Sequence, residues 1–239
     1  MAGGDKGSPG HTPGSFVVAM DGTAGSGKSS TSRGVAERLG LRYLDTGAMY
    51  RAMTWHLLHN GIDVSDPTVV GKHARTVHIV SGTNPAAPTI TLDGSDVSVE
   101  IRSAATTAAV SQVSAVSEVR QILTESQRKI IGAGGIVVEG RDIGTVVAPD
   151  ADVKIYLVAD PMARAARRAA ELRDLQTGDV SVVEADLARR DAFDSTRSAA
   201  PLAAADDAVV VDSTYLTLEE VVGTVVDLAR QRMANPPPA

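Results

Sequence analysis

Cysteine is missing from this 239-residue chain, and several other class-defining features are scarce or missing as well. Without cysteine there are no disulfides, no thiolate metal ligands and no cysteine nucleophile, which fits a reducing cytoplasm. No run of eighteen apolar residues occurs, so the sequence predicts no membrane-spanning helix. With two Phe, four Tyr and one Trp, the chain lacks the aromatic platform on which proteins stack single-stranded nucleic acid.

An excess of positive charge is missing too. The formal net charge is −6, so we expect no nucleic-acid partner. The apolar content of 43% suits a chain that buries a sizeable core. Residues 1–14 are rich in Gly, Pro and Ser and have no apolar centre, which favours a disordered leader over a secretory signal.

Short apolar runs alternate with helix-like stretches, and this alternation predicts an α/β fold with a mainly parallel sheet. The predicted strands are Phe16–Met20, Arg42–Asp45, Ile136–Val138, Val153–Val158 and Ala208–Asp212. The predicted helices are bounded by recognisable signals. They are Lys28–Leu39 before Gly40, Met49–His59 before Asn60-Gly61, one beginning at Pro161, and one from the capping box at Thr217 to about Gln231.

Residues 77–101 interrupt this alternation. Apolar and polar residues alternate over Thr89–Leu92 and Asp96–Val99, and Asp93-Gly94 between them is a strong hairpin signal. We therefore predict a small antiparallel insertion here, followed by one helix-like stretch from Thr106 to Ile131.

The segment after the first strand matches the phosphate-loop pattern G-x-x-x-x-G-K-[ST] at every fixed position. A buried strand precedes it and a helix follows it, so a chance Gly/Ser turn is the weaker interpretation. Lys28 would reach the β- and γ-phosphates, and the Ser29 hydroxyl would ligate Mg²⁺. The predicted nucleotide-binding residues of this segment are Gly22, Thr23, Ala24, Gly25, Ser26, Gly27, Lys28, Ser29 and Ser30.

Phosphate loops also serve switches and motors. A small GTPase should carry an Asn-Lys-x-Asp guanine reader, but none of the three asparagines, Asn60, Asn84 and Asn235, is followed by lysine. A motor ATPase would normally be larger and carry coupling motifs. A switch therefore stays open as an alternative, but it is less favoured than a kinase.

Arginines concentrate between Asp160 and Ala200, where there are seven Arg and no Lys. Arginine grips phosphate in bidentate fashion, and phosphoryl transfer between two anions needs several cations. Two basic helices joined near Gln176–Asp179 would form a lid that closes over the phosphates. The alternative is a solvated helix pair with internal ion pairs, for which Glu171 and Asp186 are examples of partners.

Three stretches now identify a resemblance: Asp45–Arg51 (DTGAMYR), Gly140–Val147 (GRDIGTVV) and Arg190–Arg197. In this order they resemble bacterial cytidylate (CMP) kinases, members of the P-loop nucleoside monophosphate kinase superfamily, and the resemblance extends from about Phe16 to Arg232. It implies a three-layer sandwich with a five-stranded parallel sheet flanked by helices. It also implies a core at 15–75 and 125–235, an acceptor-binding insertion at 76–124 and an arginine-rich lid at 160–198.

The resemblance also implies roles for individual residues. Arg51, Arg141 and Arg197 would grip the acceptor phosphate, with Arg190 close to the acceptor ribose and phosphates. Ser111, Arg120 and Asp142 would read the cytosine edge, and Asp194 would hold the ribose. Thr46 stands where many relatives have Ser and keeps the hydroxyl, and Arg167 would lie near the adenine or the triphosphate of ATP.

The residues themselves leave some alternatives open. Asp142 could form a local salt bridge with Arg141, Arg51 could be a surface arginine, and Asp194 could lie in a solvated loop. Ser111 and Arg120 are nine residues apart, so they face one ligand only if the helix is broken between them. The Phe-Pro pair that relatives often carry there is absent.

Together these features predict an enzyme of pyrimidine nucleotide metabolism that transfers the γ-phosphoryl of ATP-Mg²⁺ to CMP or dCMP without a covalent intermediate. Lys28, Arg141, Arg190 and Arg197 are the predicted catalytic residues, and Mg²⁺ is the predicted cofactor. We expect a cytoplasmic monomer with no membrane partner. The alternatives are a kinase for UMP or another acceptor, and a nucleotide-dependent switch.

Overall fold

The computed structural model describes residues 14–173, 180–197 and 200–235, without the side chains of residues 171–173. Most of the predicted leader (1–13), the predicted turn Gln176–Asp179 and the proline tail Pro236–Pro238 lie outside the described residues.

The strands and helices alternate along most of this range. The strands are β1 (Val17–Gly22), β2 (Arg42–Asp45), β3 (Ile79–Ser81), β4 (Ile90–Leu92), β5 (Ser95–Asp96), β6 (Ile136–Glu139), β7 (Val153–Val158) and β8 (Val209–Asp212). The helices are α1 (Lys28–Leu39), α2 (Thr46–His59), α3 (Pro67–Ala74), α4 (Ala104–Ser114), α5 (Ser117–Ile131), α6 (Pro161–Arg173), α7 (Val180–Thr196) and α8 (Leu218–Ala234).

Five strands form a parallel sheet in the order β2-β6-β1-β7-β8, which confirms the predicted α/β architecture. Because side chains alternate along a strand, β1 faces two apolar clusters. Val18 and Met20 pack with α1 and α8, whereas Ala19 packs with α2 and α5. The sheet is therefore the middle layer of a sandwich, and the carboxyl ends of its strands meet at one edge.

The predicted insertion forms a three-stranded antiparallel sheet in the order β3-β4-β5. Asp93 and Gly94 both have positive φ angles, 49° and 84°, as the tight turn between β4 and β5 requires. The second arm of the hairpin, β5, is shorter than predicted, because the chain enters a short 3₁₀ helix at Glu100–Arg102.

The predicted helix from Thr106 to Ile131 is two helices, α4 and α5, joined at Ala115 and Val116. Val116 has an extended conformation (φ −72°, ψ 123°), and its side chain is buried in the apolar core. The helix is therefore interrupted at a buried valine and not at a proline. Because of this interruption, α4 and α5 can both direct residues towards one site.

Candidate active site

A cavity of about 580 Å³ lies at the carboxyl edge of the parallel sheet. The loop after β1, the start of α2, the turn after β6 and the helices α4 to α7 all contribute to its walls. Open α/β sheets bind their ligands at this edge. The cavity is therefore the candidate active site.

The predicted phosphate loop connects β1 to α1. Gly25 and Gly27 have φ angles of 76° and 93°, a left-handed conformation that favours glycine. Gly22 lies so close to β7 that a Cβ atom would be 2.0 Å from the carbonyl oxygen of Leu157. The pattern's glycines thus meet steric demands of the backbone.

Lys28 lies inside this loop with its ammonium group directed at the loop's own backbone. Its Nζ donates to the carbonyl oxygen of Thr23 at 2.5 Å, and only 7% of the residue is exposed. Burial, together with the neighbouring Arg141, lowers the pKa of Lys28 well below its ordinary value. An anion placed in the loop would offset both effects and favour the charged ammonium.

Glu139 ends β6 beside the phosphate loop. Its Oε2 accepts from the Ser29 hydroxyl at 3.0 Å, and its Oε1 accepts from the Tyr43 hydroxyl. Burial and the nearby Asp45 raise the pKa of Glu139 to about 7. Sequence reasoning did not select Glu139, although a carboxylate that ends a buried apolar run is a visible signal.

The turn after β6 is held against β1 by two sets of hydrogen bonds. The Gly140 N–H donates to the carbonyl of Met20 at 3.0 Å, and the Asp21 carboxylate accepts from Ile143 and Gly144 at 2.8 and 2.7 Å. Burial raises the pKa of Asp21 to about 6. Asp21, a second residue that sequence reasoning missed, therefore fixes the conformation of the turn that carries Arg141 and Asp142.

Asp142 forms a buried ion pair with Arg120, which lies 22 positions earlier in the chain on α5. The pair is 5% and 7% exposed, and Arg120 also donates to the carbonyl of Ser114 at 3.3 Å, where α4 ends. Burial raises the pKa of Asp142 despite this partner. The possible local salt bridge between Asp142 and Arg141 is therefore not the one that the structure shows.

Asp194 holds two of the predicted phosphate-binding arginines. It lies 3.3 Å from Arg141 and 3.6 Å from Arg197, and it is only 5% exposed. The alternative of a solvated loop is thus wrong for Asp194, which lies on α7 and faces inwards. The carboxylate aligns two guanidinium groups around one space.

Arginines outnumber carboxylates in this part of the cavity. Burial and the proximity of Arg51 and Arg141 lower the pKa of Arg190 to about 10, and burial also lowers the pKa of Arg51. The Nε atoms of Arg190 and Arg197 are buried without a partner among the described residues. Two further arginines that sequence reasoning did not select, Arg102 and Arg168, line the same cavity. The arrangement suits a ligand with several negative charges.

The opposite end of the cavity is more apolar. Arg167 donates to the Ser213 hydroxyl at 3.0 Å and to the Ser213 carbonyl, beside the phosphate loop. Three aliphatic residues line the cavity near these groups: Leu216, Leu218 and Val221. This end can accept a flat apolar group such as a nucleobase.

Comparisons with known proteins show to which family the chain belongs. The family model described as cytidylate kinase matches residues 18–231. The chain is 55% identical over 220 residues to the protein named cytidylate kinase of Streptomyces avermitilis, covering 91% of this chain and 94% of the relative. The chain belongs to the cytidylate kinase family. It is also 57% identical to the cytidylate kinase of Streptomyces griseus (90% of this chain, 92% of the relative) and 52% identical to that of Rhodococcus opacus (91% and 96%).

Within this cytidylate kinase-family chain, nearly all of the predicted site residues converge on one cavity. Only Gly22 and Thr23 do not line it. Ser111 and Arg120 line the cavity from separate helices, because the helical conformation is interrupted at Val116. Among the described helices, none is long and apolar enough to cross a membrane.

Proposed function

We propose that the chain transfers the γ-phosphoryl group of ATP to the phosphate of CMP or dCMP, giving ADP and CDP or dCDP. The observation that carries this proposal is a single cavity with a phosphate loop on one side and a buried Arg120–Asp142 pair on the other. Converging arginines lie between them. Membership of the cytidylate kinase family supports both the reaction and the acceptor.

The donor would bind with its phosphates on the loop and its base at the apolar end. Backbone N–H groups at Gly25–Ser29 and the start of α1 favour phosphate, and Lys28 adds a positive charge. The slot beside Arg167, Leu216 and Leu218 would take the adenine.

Mg²⁺ fits the residues at the start of α1. Ser29 Oγ and Glu139 Oε2 lie 3.0 Å apart and supply the oxygen ligands that Mg²⁺ prefers. Within the described ranges, no three His, Asp or Glu residues are grouped to hold a metal, which suits an ion bound chiefly through phosphate and water. When bound, Mg²⁺ would neutralise charge on the phosphate oxygens.

The acceptor phosphate would bind among Arg51, Arg141, Arg190 and Arg197. Asp194 would hold the ribose, and Asp142 with Arg120 would bind the edge of the base, with Ser111 beside them. An ionised carboxylate accepts a hydrogen bond from an exocyclic amine such as that of cytosine, but it repels a carbonyl oxygen. This polarity favours cytosine over uracil at Asp142.

The reaction needs no covalent intermediate. An oxygen of the acceptor phosphate attacks the γ-phosphorus in line with the bridging oxygen, the bond to that oxygen breaks, and ADP leaves with its electrons. Lys28, Arg141, Arg190 and Arg197 would stabilise the charge that moves between the two phosphates. Arginine positions the phosphates as well, because its planar group binds two oxygens at once.

The proposed division of labour follows the chain: a core of residues 15–75 and 125–235, an acceptor-binding insertion at 76–124 and a lid at 160–198. We propose that the chain acts as a monomer. We propose that it acts in the cytoplasm, where both nucleotides occur.

The test is incubation with ATP labelled at the γ-phosphate and each of CMP, dCMP, UMP and AMP. We expect labelled CDP and dCDP, much less UDP or ADP, and strongly reduced labelling with the variant K28A. Release of free phosphate without CDP would instead indicate a nucleotide switch, and equal labelling of UDP would contradict the role of Asp142.

A further inference from the structure

The two lid helices α6 and α7 pack directly on the phosphate loop. Ala24 of the loop is 3% exposed and lies in one apolar cluster with residues of both helices: Ala165, Ala169, Val183 and Leu187. A Cβ atom on the next residue, Gly25, would be 3.3 Å from both Arg164 and Leu187. The loop and the helix pair are therefore in van der Waals contact.

Polar groups reinforce this contact. The N–H of Ala24 donates to Asp191 Oδ1 on α7 at 2.9 Å, and the carbonyl of Ala24 accepts from Arg164 Nη1 on α6 at 3.0 Å. Arg164 and Asp191 form an ion pair with each other. The N–H and the carbonyl of Ala24 are thus bound by Asp191 and Arg164, and these two side chains also bind each other.

Asp191 has acceptor-side groups on either side of it along α7. Arg190 precedes it directly, and Asp194, which holds Arg141 and Arg197, follows one turn later. A helix transmits a shift at one residue to its neighbours, because its backbone hydrogen bonds fix their relative positions. The position of Asp191 on the loop therefore sets the position of these groups.

We propose that Asp191 is a positioning residue for phosphoryl transfer, which places the acceptor-binding arginines at a fixed distance from the donor phosphates through Ala24 and Arg164. This inference rests on the proposed function. Positioning accounts for much of the rate of such a reaction, and a displacement of about 1 Å can cost on the order of 10²-fold. Asp191 touches neither nucleotide in this role and acts through the loop and through α7.

The first test compares D191N with D186N. Asp186 lies on the same helix but pairs with Arg189 at the surface, where the two side chains are 56% and 69% exposed. We expect D191N to lower kcat about tenfold or more, with the KM values for ATP and CMP changed by less than about threefold, because alignment and not binding is lost. D186N should match the parent in all three constants.

A second test asks whether Asp191 and Arg164 act as one unit. If they do, R164A and D191A should each lower kcat, and the double variant should lower it little further. Purely additive effects would overturn the proposal, as would a D191N enzyme whose kcat equals that of D186N. A rise in the KM for ATP alone would also overturn it, because that result assigns Asp191 to donor binding.

Hydrogen exchange provides a readout that does not depend on catalysis. The amide of Ala24 should exchange faster in D191N than in the parent and in D186N, while the melting temperature of each variant reports on folding. If the parent makes no CDP but D191N still speeds exchange, the proposed function fails and the loop contact stands. If the parent is active and neither exchange nor kcat changes in D191N, the positioning role fails alone.

Discussion

The donor and acceptor sides of the cavity are built in different ways. On the donor side, the phosphates would bind to eight consecutive residues, Gly22–Ser29, chiefly through backbone N–H groups. The acceptor side is assembled from side chains between Thr46 and Arg197, which lie on four helices, in the turn after β6 and just after α7. A backbone site depends on local conformation, whereas a side-chain site depends on the packing of the whole fold.

The two sides also differ in their electrostatics. The loop carries one cation, Lys28, which is surrounded by partial charges of the backbone and by Glu139 and Asp21. The acceptor side brings several guanidinium groups together, and burial, with the proximity of Arg51 and Arg141, lowers the pKa of Arg190 to about 10. An anion bound on either side would therefore favour the charged form of these cations.

The largest effect should come from removing the cation of the donor side. We expect K28A to lower kcat by about 10³-fold, because no other described cation lies within the loop and transition-state charge is then left unbalanced. Steady-state kinetics with ATP and CMP measures this loss. K72A, which alters an exposed lysine on α3, is the control and should retain full activity.

A smaller and more selective effect should come from the Arg120–Asp142 pair, which we propose binds the edge of the base. D142N should lower kcat/KM for CMP by about 10²-fold, because the amide no longer balances the buried charge of Arg120 and presents a donor to the amine. The KM for ATP should stay within about threefold of the parent value, and the ratio of CMP turnover to UMP turnover should decrease. An equal loss for CMP and UMP would show that Asp142 does not read the base.

Replacing Asp194 on the acceptor side should have a weaker effect on activity. We expect D194N to raise the KM for CMP by about tenfold, because Arg141 and Arg197 lose the carboxylate that aligns them. Part of the loss is offset, since the freed guanidinium groups can still reach the phosphate. Isothermal titration with CMP in the absence of ATP would check the change, and an unaltered affinity would contradict it.

The last prediction concerns stability and not catalysis, at the residue that joins the two sides, Asp21. Burial raises its pKa from the ordinary value of 3.8 to about 6, so the folded state holds this proton more tightly than the unfolded chain. The stability contributed by this group is therefore present at low pH and falls as the pH rises from about 4 to about 6, by up to about 3 kcal/mol.

Comparing D21N with the parent isolates this contribution. The free energy of unfolding of D21N relative to the parent should increase by up to about 3 kcal/mol between pH 4 and pH 7. Urea unfolding at several pH values measures the difference. A difference that does not change with pH would show that Asp21 titrates at its ordinary pKa.

The contrast between the two sides also explains how much the sequence could predict. The phosphate loop, the strands of the parallel sheet and the Asp93-Gly94 turn depend on residues adjacent in sequence, and all three are confirmed as structural features. The break between α4 and α5 was not predicted, because it coincides with the burial of Val116 and not with a proline or glycine.

The partners of individual side chains were the hardest to predict. Nothing local tells Asp142 to pair with Arg120 and not with the adjacent Arg141. Asp21 and Glu139 were missed for the same reason: each is an ordinary acidic residue at the end of a strand until its neighbours are known. Their contacts are with residues more than ninety positions away.

Ala24 occupies one of the positions that the phosphate-loop pattern leaves free. The pattern describes how the loop meets a nucleotide, but in this molecule Ala24 and its neighbour Gly25 also pack against two helices. Tolerance at position 24 is therefore set by the space beneath α6 and α7, and a side chain larger than alanine would push the helix pair outwards. A substitution that the motif permits would then act as a wedge that increases the distance between the two nucleotides.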